Sequence, residues 1–295
     1  MQKAFSRDKM FRYGISCALE DLPESQPVTL RGRIDEVCRI AKKIGYDAIE
    51  LHIREPARYN TAEILEIAGD HGLVICAVAN GMEYTVNGLS LIDDDTKKRA
   101  AALDRIYEHA DFAAALGAKL IVGIMRGNIR RGGERSEYLK IFSEALDKIC
   151  ERAGKTGTPV VLESILRYIN NYLCNIHETM DFITSQNIGN LSLHIDTHSM
   201  AIEEQNMRES ILYCKNKPLG YVHYSDNNRR YPGGGALDFR AITGALAEIG
   251  YSGFITVECL PWPDAEESAR RALEYIRAVE KMSVIENFNT EKLNK

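Results

Sequence analysis

The sequence lacks the features that mark a disulfide-bonded, secreted or membrane-spanning protein. Its seven cysteines are scattered and form no CxxC pair, which is typical of reduced thiols in a cytosolic protein. The opening segment, MQKAFSRDKMFRYG, is too polar for a secretion signal, and no apolar run approaches the ~18 residues that cross a bilayer. We therefore expect a cytoplasmic protein with no membrane partner.

The charged residues give no sign of a nucleic-acid partner. The net charge is −5, and no basic stripe or patch of aromatic residues interleaved with Lys and Arg stands out. The 45% apolar and 27% charged residues are ordinary for a globular chain with a large core. The composition therefore favours a small-molecule substrate.

Short β-branched runs alternate with amphipathic stretches along the whole sequence. The eight apolar runs are FRYGISC (11–17), YDAIELHI (46–53), LVICAVA (73–79), KLIVGIM (119–125), PVVLES (159–164), LSLHID (191–196), LGYVHY (219–224) and FITVECL (254–260). Helical periodicity is found at 33–44, 61–70, 95–116, 136–154, 177–185, 207–214, 239–249 and 265–281. This alternation predicts a parallel sheet buried on both faces.

Eight strand–helix units favour a closed α/β architecture, the (β/α)8 TIM barrel, over an open doubly wound sheet. The open sheet would be expected to carry a GxGxxG after an early strand, and the sequence has none. No linker or composition shift divides the chain. We therefore predict one barrel domain over residues 1–282 and a polar, frayed tail over residues 283–295.

Titratable side chains close four consecutive predicted strands. Strand five ends at Glu163, strand six at Asp196, strand seven near His223 and strand eight near Glu258. One such residue alone is more often structural. Barrel strands gather their carboxyl ends at one rim about 4.8 Å apart, so four neighbouring ends can converge on one ion. Three carboxylates and one imidazole suit Mn²⁺, Mg²⁺ or Co²⁺ better than a structural Zn²⁺.

Several stretches carry a resemblance to a known family. They are HYSDNNRRYPGGGALDF (223–239), GYSGFITVECLP (250–261) and DTHSMAIEE (196–204). Over nearly its whole length the sequence resembles the D-tagatose 3-epimerase, or ketose 3-epimerase, family of xylose-isomerase-like TIM barrels. The segments that look like its 5-keto-L-gluconate epimerase branch are GYDAIELHIREP (45–56), NGLSL (87–91) and LIVGIMRG (120–127).

The resemblance implies a role for each of the four strand-end residues. Glu163, Asp196, His223 and Glu258 would bind one Mn²⁺-type ion that chelates the carbonyl and neighbouring hydroxyl of a keto-sugar. The two glutamates would remove and return a proton on opposite faces of the carbon between them. The predicted enzyme is thus an isomerase: a metal-dependent epimerase of a ketose or keto-sugar acid, acting through a metal-stabilised enediolate. A homo-oligomer is expected.

Three more residues are candidate substrate ligands. Arg229 matches the family arginine that binds a substrate oxygen, and its alternative is a solvated surface arginine. Arg126, at the end of strand four, either grips a substrate carboxylate through a bidentate fork or forms a salt bridge with a neighbouring loop. His198 lies one place before the family's strand-six histidine, whose own position is Ser199 here.

Departures from the family pattern leave other functions open. The strand-five motif Glu-Pro-Leu-Asn-Arg-Tyr-Glu reads Glu-Ser-Ile-Leu-Arg-Tyr-Ile here, so an Asn and a substrate-touching Glu have become Leu166 and Ile169. The alternatives are a metal-dependent sugar isomerase, or a dehydratase or lyase acting on an inosose or 3-keto-sugar. A DNA-repair nuclease would be expected to have many more His ligands, and a non-catalytic sugar-binding module is the remaining possibility.

Glu50 and His52, on one face of strand two, are predicted to support the site from the barrel interior.

Overall fold

The computed structural model describes residues 10–293, with side chains for residues 10–282, and its centre is a closed barrel of eight parallel strands. Each strand pairs with the next, and the eighth pairs back onto the first. The strands are β1 (Arg12–Ala18), β2 (Ala48–His52), β3 (Val74–Ala79), β4 (Lys119–Val122), β5 (Val160–Glu163), β6 (Leu191–Asp196), β7 (Leu219–Tyr224) and β8 (Phe254–Val257). The predicted barrel is confirmed.

One main helix follows each strand and covers the outside of the barrel. The helices are α1 (Ile34–Ile44), α2 (Thr61–Asp70), α3 (Thr96–Leu116), α4 (Arg135–Gly154), α5 (Ile176–Gln186), α6 (Met207–Tyr213), α7 (Phe239–Glu248) and α8 (Ala265–Leu293). In α1, Val37, Cys38 and Ala41 are buried, while charged residues occupy its first and last turns. None of the helices within residues 10–293 has the length and apolar character that a membrane crossing requires.

The loops at the carboxyl ends of the strands carry additional short elements. The two-residue strand Leu30–Arg31 pairs with the end of β1. The short helices Met82–Asn87 and Thr197–Glu203 follow β3 and β6. These elements build up the rim at which the predicted site residues lie.

The backbone of α8 is helical as far as Leu293, so the helix includes much of the segment from Ser283 onward that the sequence pattern predicts as a polar tail. The physical reason is that no Gly or Pro follows Pro263 to end the helix. Residues 1–9 and 294–295 lie outside the described part of the chain, so the outer limits of the barrel domain and of the tail stay predictions.

Strand pleating decides which polar side chains enter the barrel. Residues two apart on a strand share a face, so His194 and Asp196 of β6 both face inward. The strand registers place Glu163 opposite His194 and Asp196 opposite His223. The upper part of the barrel interior is therefore lined by ionisable groups from neighbouring strands.

Candidate active site and metal centre

The four predicted metal ligands lie together at the carboxyl ends of β5 to β8. Ligand atoms of Asp196, His223 and Glu258 lie within 4.8 Å of one another, and a carboxylate oxygen of Glu163 lies within the same distance of a His223 ring nitrogen. All four residues line one cavity of about 430 Å³. The structure therefore brings together the whole predicted set, and its role as a metal site stays a prediction.

A buried carboxylate fixes the orientation of His223. The Nε2 atom of His223 lies 2.8 Å from one oxygen of Glu50, and the other Glu50 oxygen lies 2.8 Å from Nε2 of His52. The remaining His223 nitrogen, Nδ1, is buried and has no hydrogen-bond partner among residues 10–282. A carboxylate on one ring nitrogen fixes the tautomer and presents the other nitrogen to a metal. The predicted supporting position of Glu50 and His52 agrees with these contacts.

The guanidinium of Arg229 lies between the carboxylates of this cluster. Its Nη1 donates to Asp196 and its Nη2 donates to Glu258. A second bond from Nη1 reaches the hydroxyl of Ser225 at 2.8 Å. The backbone of Arg229 has φ 60°, in a turn closed by its N–H donating to the carbonyl of Asp226 at 2.9 Å. Non-glycine residues rarely adopt this conformation, and here the turn places the guanidinium between Asp196 and Glu258.

The ionisable groups of the site shift one another's pKa in opposite directions. Burial, followed by the negative charge of Glu258, raises the pKa of Glu163 to about 8. Burial also opposes ionisation of Glu258, but Arg229 and His223 outweigh it and lower the pKa of Glu258 to about 2. Opposed shifts on neighbouring carboxylates are typical of catalytic and ion-binding sites.

The donor set fits a divalent cation. The buried Nδ1 of His223 has no hydrogen bond among residues 10–282 and lies 3.4 Å from Oε2 of Glu258. A cation would also offset both the burial and the negative charge of Glu258, which raise the pKa of Glu163. A Cβ at Gly123 would lie 2.8 Å from Oε2 of Glu163, so glycine leaves the space that this carboxylate occupies. The chemistry of the residues present therefore fits a divalent metal ion.

Two further predicted positions, His198 and Ser199, line the cavity above the cluster. Nδ1 of His198 lies 3.3 Å from the carbonyl oxygen of Asp226. Ser199 accepts the backbone N–H of Leu166 at 3.4 Å and so supports the loop that follows β5. Leu166 and Ile169 also line the cavity. The substrate-facing wall is therefore more apolar on the β5 side than on the β6 and β7 side.

The side chain of Arg126 lies away from the cavity, and its contact with a substrate carboxylate stays a prediction. Its side chain is fully buried outside the cavity, where Nη1 donates to the backbone carbonyl of Glu163 at 2.8 Å and Nη2 to that of Leu173 at 3.2 Å. Its guanidinium also lies 5.3 Å from the ring centroid of Tyr172. The physical reason is the short 3-10 turn Ile124–Arg126, which leaves the strand before Arg126. Arg126 thus anchors the loop that follows Glu163.

We expect Arg126→Met to lower the free energy of unfolding by about 2–4 kcal/mol, because two buried carbonyls lose charged hydrogen-bond donors. Urea denaturation measures this loss. The KM values for neutral and acidic keto-sugars should change by similar factors. The exposed Arg131→Met is the matched control and should leave stability unchanged. A KM increase confined to acidic sugars would instead support carboxylate binding by Arg126.

Inspection of the sequence missed His194. It is fully buried two residues before Asp196, and its ring packs edge-to-face on His223 with centroids 4.1 Å apart. Burial lowers the pKa of His194 well below its ordinary value, so the ring is neutral. The HxD spacing at the end of β6 is the signal that could have identified it, because alternate strand residues share a face.

Comparison with known sequences agrees with the fold. Residues 38–279 match the family model described as xylose isomerase-like TIM barrel. An L-ribulose 3-epimerase of Methylomonas sp. is 28% identical and aligns over 80% of this chain and 88% of its own length. A 3-dehydro-D-guloside 4-epimerase of Escherichia coli is 26% identical over 82% of this chain and 93% of its own length.

Solved structures share the fold over almost the whole chain. An L-ribulose 3-epimerase superposes with a TM-score of 0.83 at 22% identity, over 95% of this chain and 98% of that chain. A 3-keto-D-glucoside 4-epimerase from E. coli superposes with a TM-score of 0.76 at 23% identity, over 91% of this chain and 99% of that chain. At this level of identity the likeness is one of fold.

Proposed function

Because this chain belongs to the xylose isomerase-like TIM barrel family, we propose that it is a metal-dependent epimerase of a ketose or keto-sugar acid. Its relatives are named as sugar epimerases, which are isomerases. The observation that carries the proposal is the placement of two glutamates in one cavity. Glu163 ends β5 and Glu258 follows β8, with Asp196 and His223 on the two strands between them.

Two carboxylates on different sides of a site suit inversion of a carbon. Epimerisation removes a proton from one face of a carbon next to a carbonyl and returns a proton to the other face. A divalent ion bound by the four ligands would polarise the carbonyl and make that proton more acidic. Glu163 and Glu258 would each hold a carboxylate oxygen against one face, so that one accepts the proton while the other supplies it. Mn²⁺ is the proposed ion, with Mg²⁺ or Co²⁺ as alternatives.

Arg229 is the proposed contact to a substrate oxygen. It is the one Lys or Arg among the described residues that line the cavity. A bound divalent ion together with Arg229 would offset the charges of Glu163, Asp196 and Glu258. With Arg126 bonded outside the cavity, no second Lys or Arg among the described lining residues is placed to pair with a carboxylate on the substrate, which favours a neutral keto-sugar over a keto-sugar acid. His198 would contribute a second polar contact on the same wall.

Incubation of the protein with Mn²⁺ and one ketose in D₂O, followed by NMR, tests the proposed reaction. We expect a single epimer to appear with one carbon-bound proton exchanged for deuterium, because proton removal and return share one carbon. A chelator should stop the conversion. An aldose product would indicate an isomerase, and loss of water would indicate a dehydratase or lyase. Sugar binding without any conversion would indicate a binding module.

A further inference from the structure

A fully buried histidine beside the proposed metal site has neither ring nitrogen satisfied. His194 is 0% exposed, and within residues 10–282 neither Nδ1 nor Nε2 has a hydrogen-bond partner. An unpaired buried polar group costs about 1–3 kcal/mol, so such groups nearly always have a partner. His109 is the contrast: it is equally buried, and both nitrogens lie 2.8 Å from the backbone carbonyls of Arg105 and Ile53. We therefore expect the imidazole of His194 to bind a ligand that is not part of the chain.

Strand geometry places this unpaired ring beside the metal ligands. His194 faces inward like Asp196, and it lies directly opposite Glu163 in the register of β5 and β6. One of its ring nitrogens lies within 4.8 Å of ligand atoms of both Glu163 and His223. Atoms that ligate one ion at about 2.0–2.2 Å lie up to about 4.4 Å apart. A small side-chain movement therefore brings His194 to bonding distance.

The two groups of potential ligands overlap at His223. One group joins it with Glu163 and His194, and the other joins it with Asp196 and Glu258. Its Nε2 lies 2.8 Å from Glu50, whereas its Nδ1 has no hydrogen bond and lies 3.4 Å from Oε2 of Glu258. Because a nitrogen lone pair binds one ion, an ion bound at Nδ1 would be shared by the two groups.

We propose that His194 is a fifth protein ligand of the divalent ion. This inference rests on the metal site of the proposed function, and it changes the donor set from three carboxylates and one imidazole to three carboxylates and two imidazoles. Imidazole nitrogen increases the affinity for Co²⁺ and Ni²⁺ more than that for Mn²⁺ or Mg²⁺. His194 is thus the residue that sets which ion this protein selects.

Counting the nitrogen atoms coupled to bound Mn²⁺ tests the inference without reference to activity. The metal-free protein is loaded with Mn²⁺ alone, and pulsed electron paramagnetic resonance resolves the coupled ¹⁴N nuclei. We expect two coupled imidazoles in the wild-type protein and one in His194→Leu. In calorimetric titrations with each metal alone, His194→Leu should lose at least ~10-fold in affinity for Co²⁺ and a smaller factor for Mn²⁺.

Tyr221→Phe is the matched control in the same interior layer. The ring of Tyr221 packs on His194 with centroids 5.2 Å apart, and its hydroxyl bonds to Thr256 at 2.6 Å and lies 3.1 Å from the sulfur of Cys76. The substitution disturbs the packing around His194 but removes no metal ligand. It should therefore keep both coupled nitrogens and the wild-type ratio of Co²⁺ to Mn²⁺ affinity.

The outcomes separate this inference from the proposed function. A bound ion with one coupled nitrogen in the wild-type protein overturns the role of His194 and leaves the four-ligand site standing. An unchanged affinity ratio in folded His194→Leu overturns it equally. Failure of the wild-type protein to bind any divalent ion overturns both proposals. If His194→Leu does not fold, His194→Gln removes the imidazole nitrogens while keeping a polar side chain, and the same nitrogen count applies.

Discussion

Replacing either Glu163 or Glu258 by Gln should lower the rate of epimer interconversion by at least ~100-fold, the usual contribution of a positioned acid or base. Glutamine keeps the shape of the side chain and an oxygen donor, but it cannot accept a proton. Sugar binding should persist, because Asp196, His223 and Arg229 remain in the cavity. Rates measured by NMR from each epimer, together with binding by calorimetry, separate the two effects.

Deuterium exchange adds a sharper expectation for the same variants. A base on one face alone can remove a proton and return it to that face, so each variant should exchange one epimer without inverting it. The exposed Glu151→Gln, which loses only a surface pair with Lys155, is the matched control and should behave like the wild-type protein. Near-normal interconversion in Glu258→Gln would contradict two opposed bases and favour a one-base isomerase or lyase.

Replacing Asp196 or His223 by Ala should abolish both bound metal and turnover while the barrel stays folded. Each variant removes one ligand from the centre of the set, between Glu163 and Glu258. Elemental analysis measures the metal, and circular dichroism measures the fold. Asp196→Ala should also lower stability by about 0.5–2 kcal/mol, because its carboxylate accepts the N–H of His198 at 2.8 Å and caps a short helix.

Asp95→Ala controls for the loss of that helix cap. The carboxylate of Asp95 accepts the N–H of Lys97 at 2.8 Å and caps α3. Asp95 is not among the described residues that line the cavity. This variant should lose a similar amount of stability but keep its metal and its turnover. If metal content stayed at one ion per chain in both Asp196→Ala and His223→Ala, the site assignment would be wrong.

The fold could be predicted because each barrel strand is a short apolar run, buried on both faces and followed by an amphipathic helix. The ends of the runs were harder to place. The apolar run at 119–125 is longer than its strand, which ends at Val122. The remaining residues of the run lie outside the sheet, and one of them, Ile124, lines the cavity. The helices Met82–Asn87 and Thr197–Glu203 were not predicted, since six or seven residues show too little of the helical period.

The site could be predicted as far as it depends on strand ends. Glu163 and its three partners close consecutive strands, so the barrel itself brings them together. Arg126 also follows a strand, but the direction of its side chain depends on a turn whose geometry the sequence pattern does not specify. His194 lies one layer below the rim. In the sequence a histidine at such a position looks like an ordinary core residue, and only the structure shows that its ring nitrogens have no hydrogen-bond partner. The direction of a side chain and the hydrogen-bond partners of its polar atoms can be determined only from coordinates.

The guanidinium of Arg229 cross-links three neighbouring strand ends of the barrel. Arg229 lies in the loop after β7, and its two terminal nitrogens donate to Asp196 at the end of β6 and to Glu258 after β8. Its positive charge offsets the repulsion between these two carboxylates. A change at this one side chain would therefore affect the ends of two other strands at once.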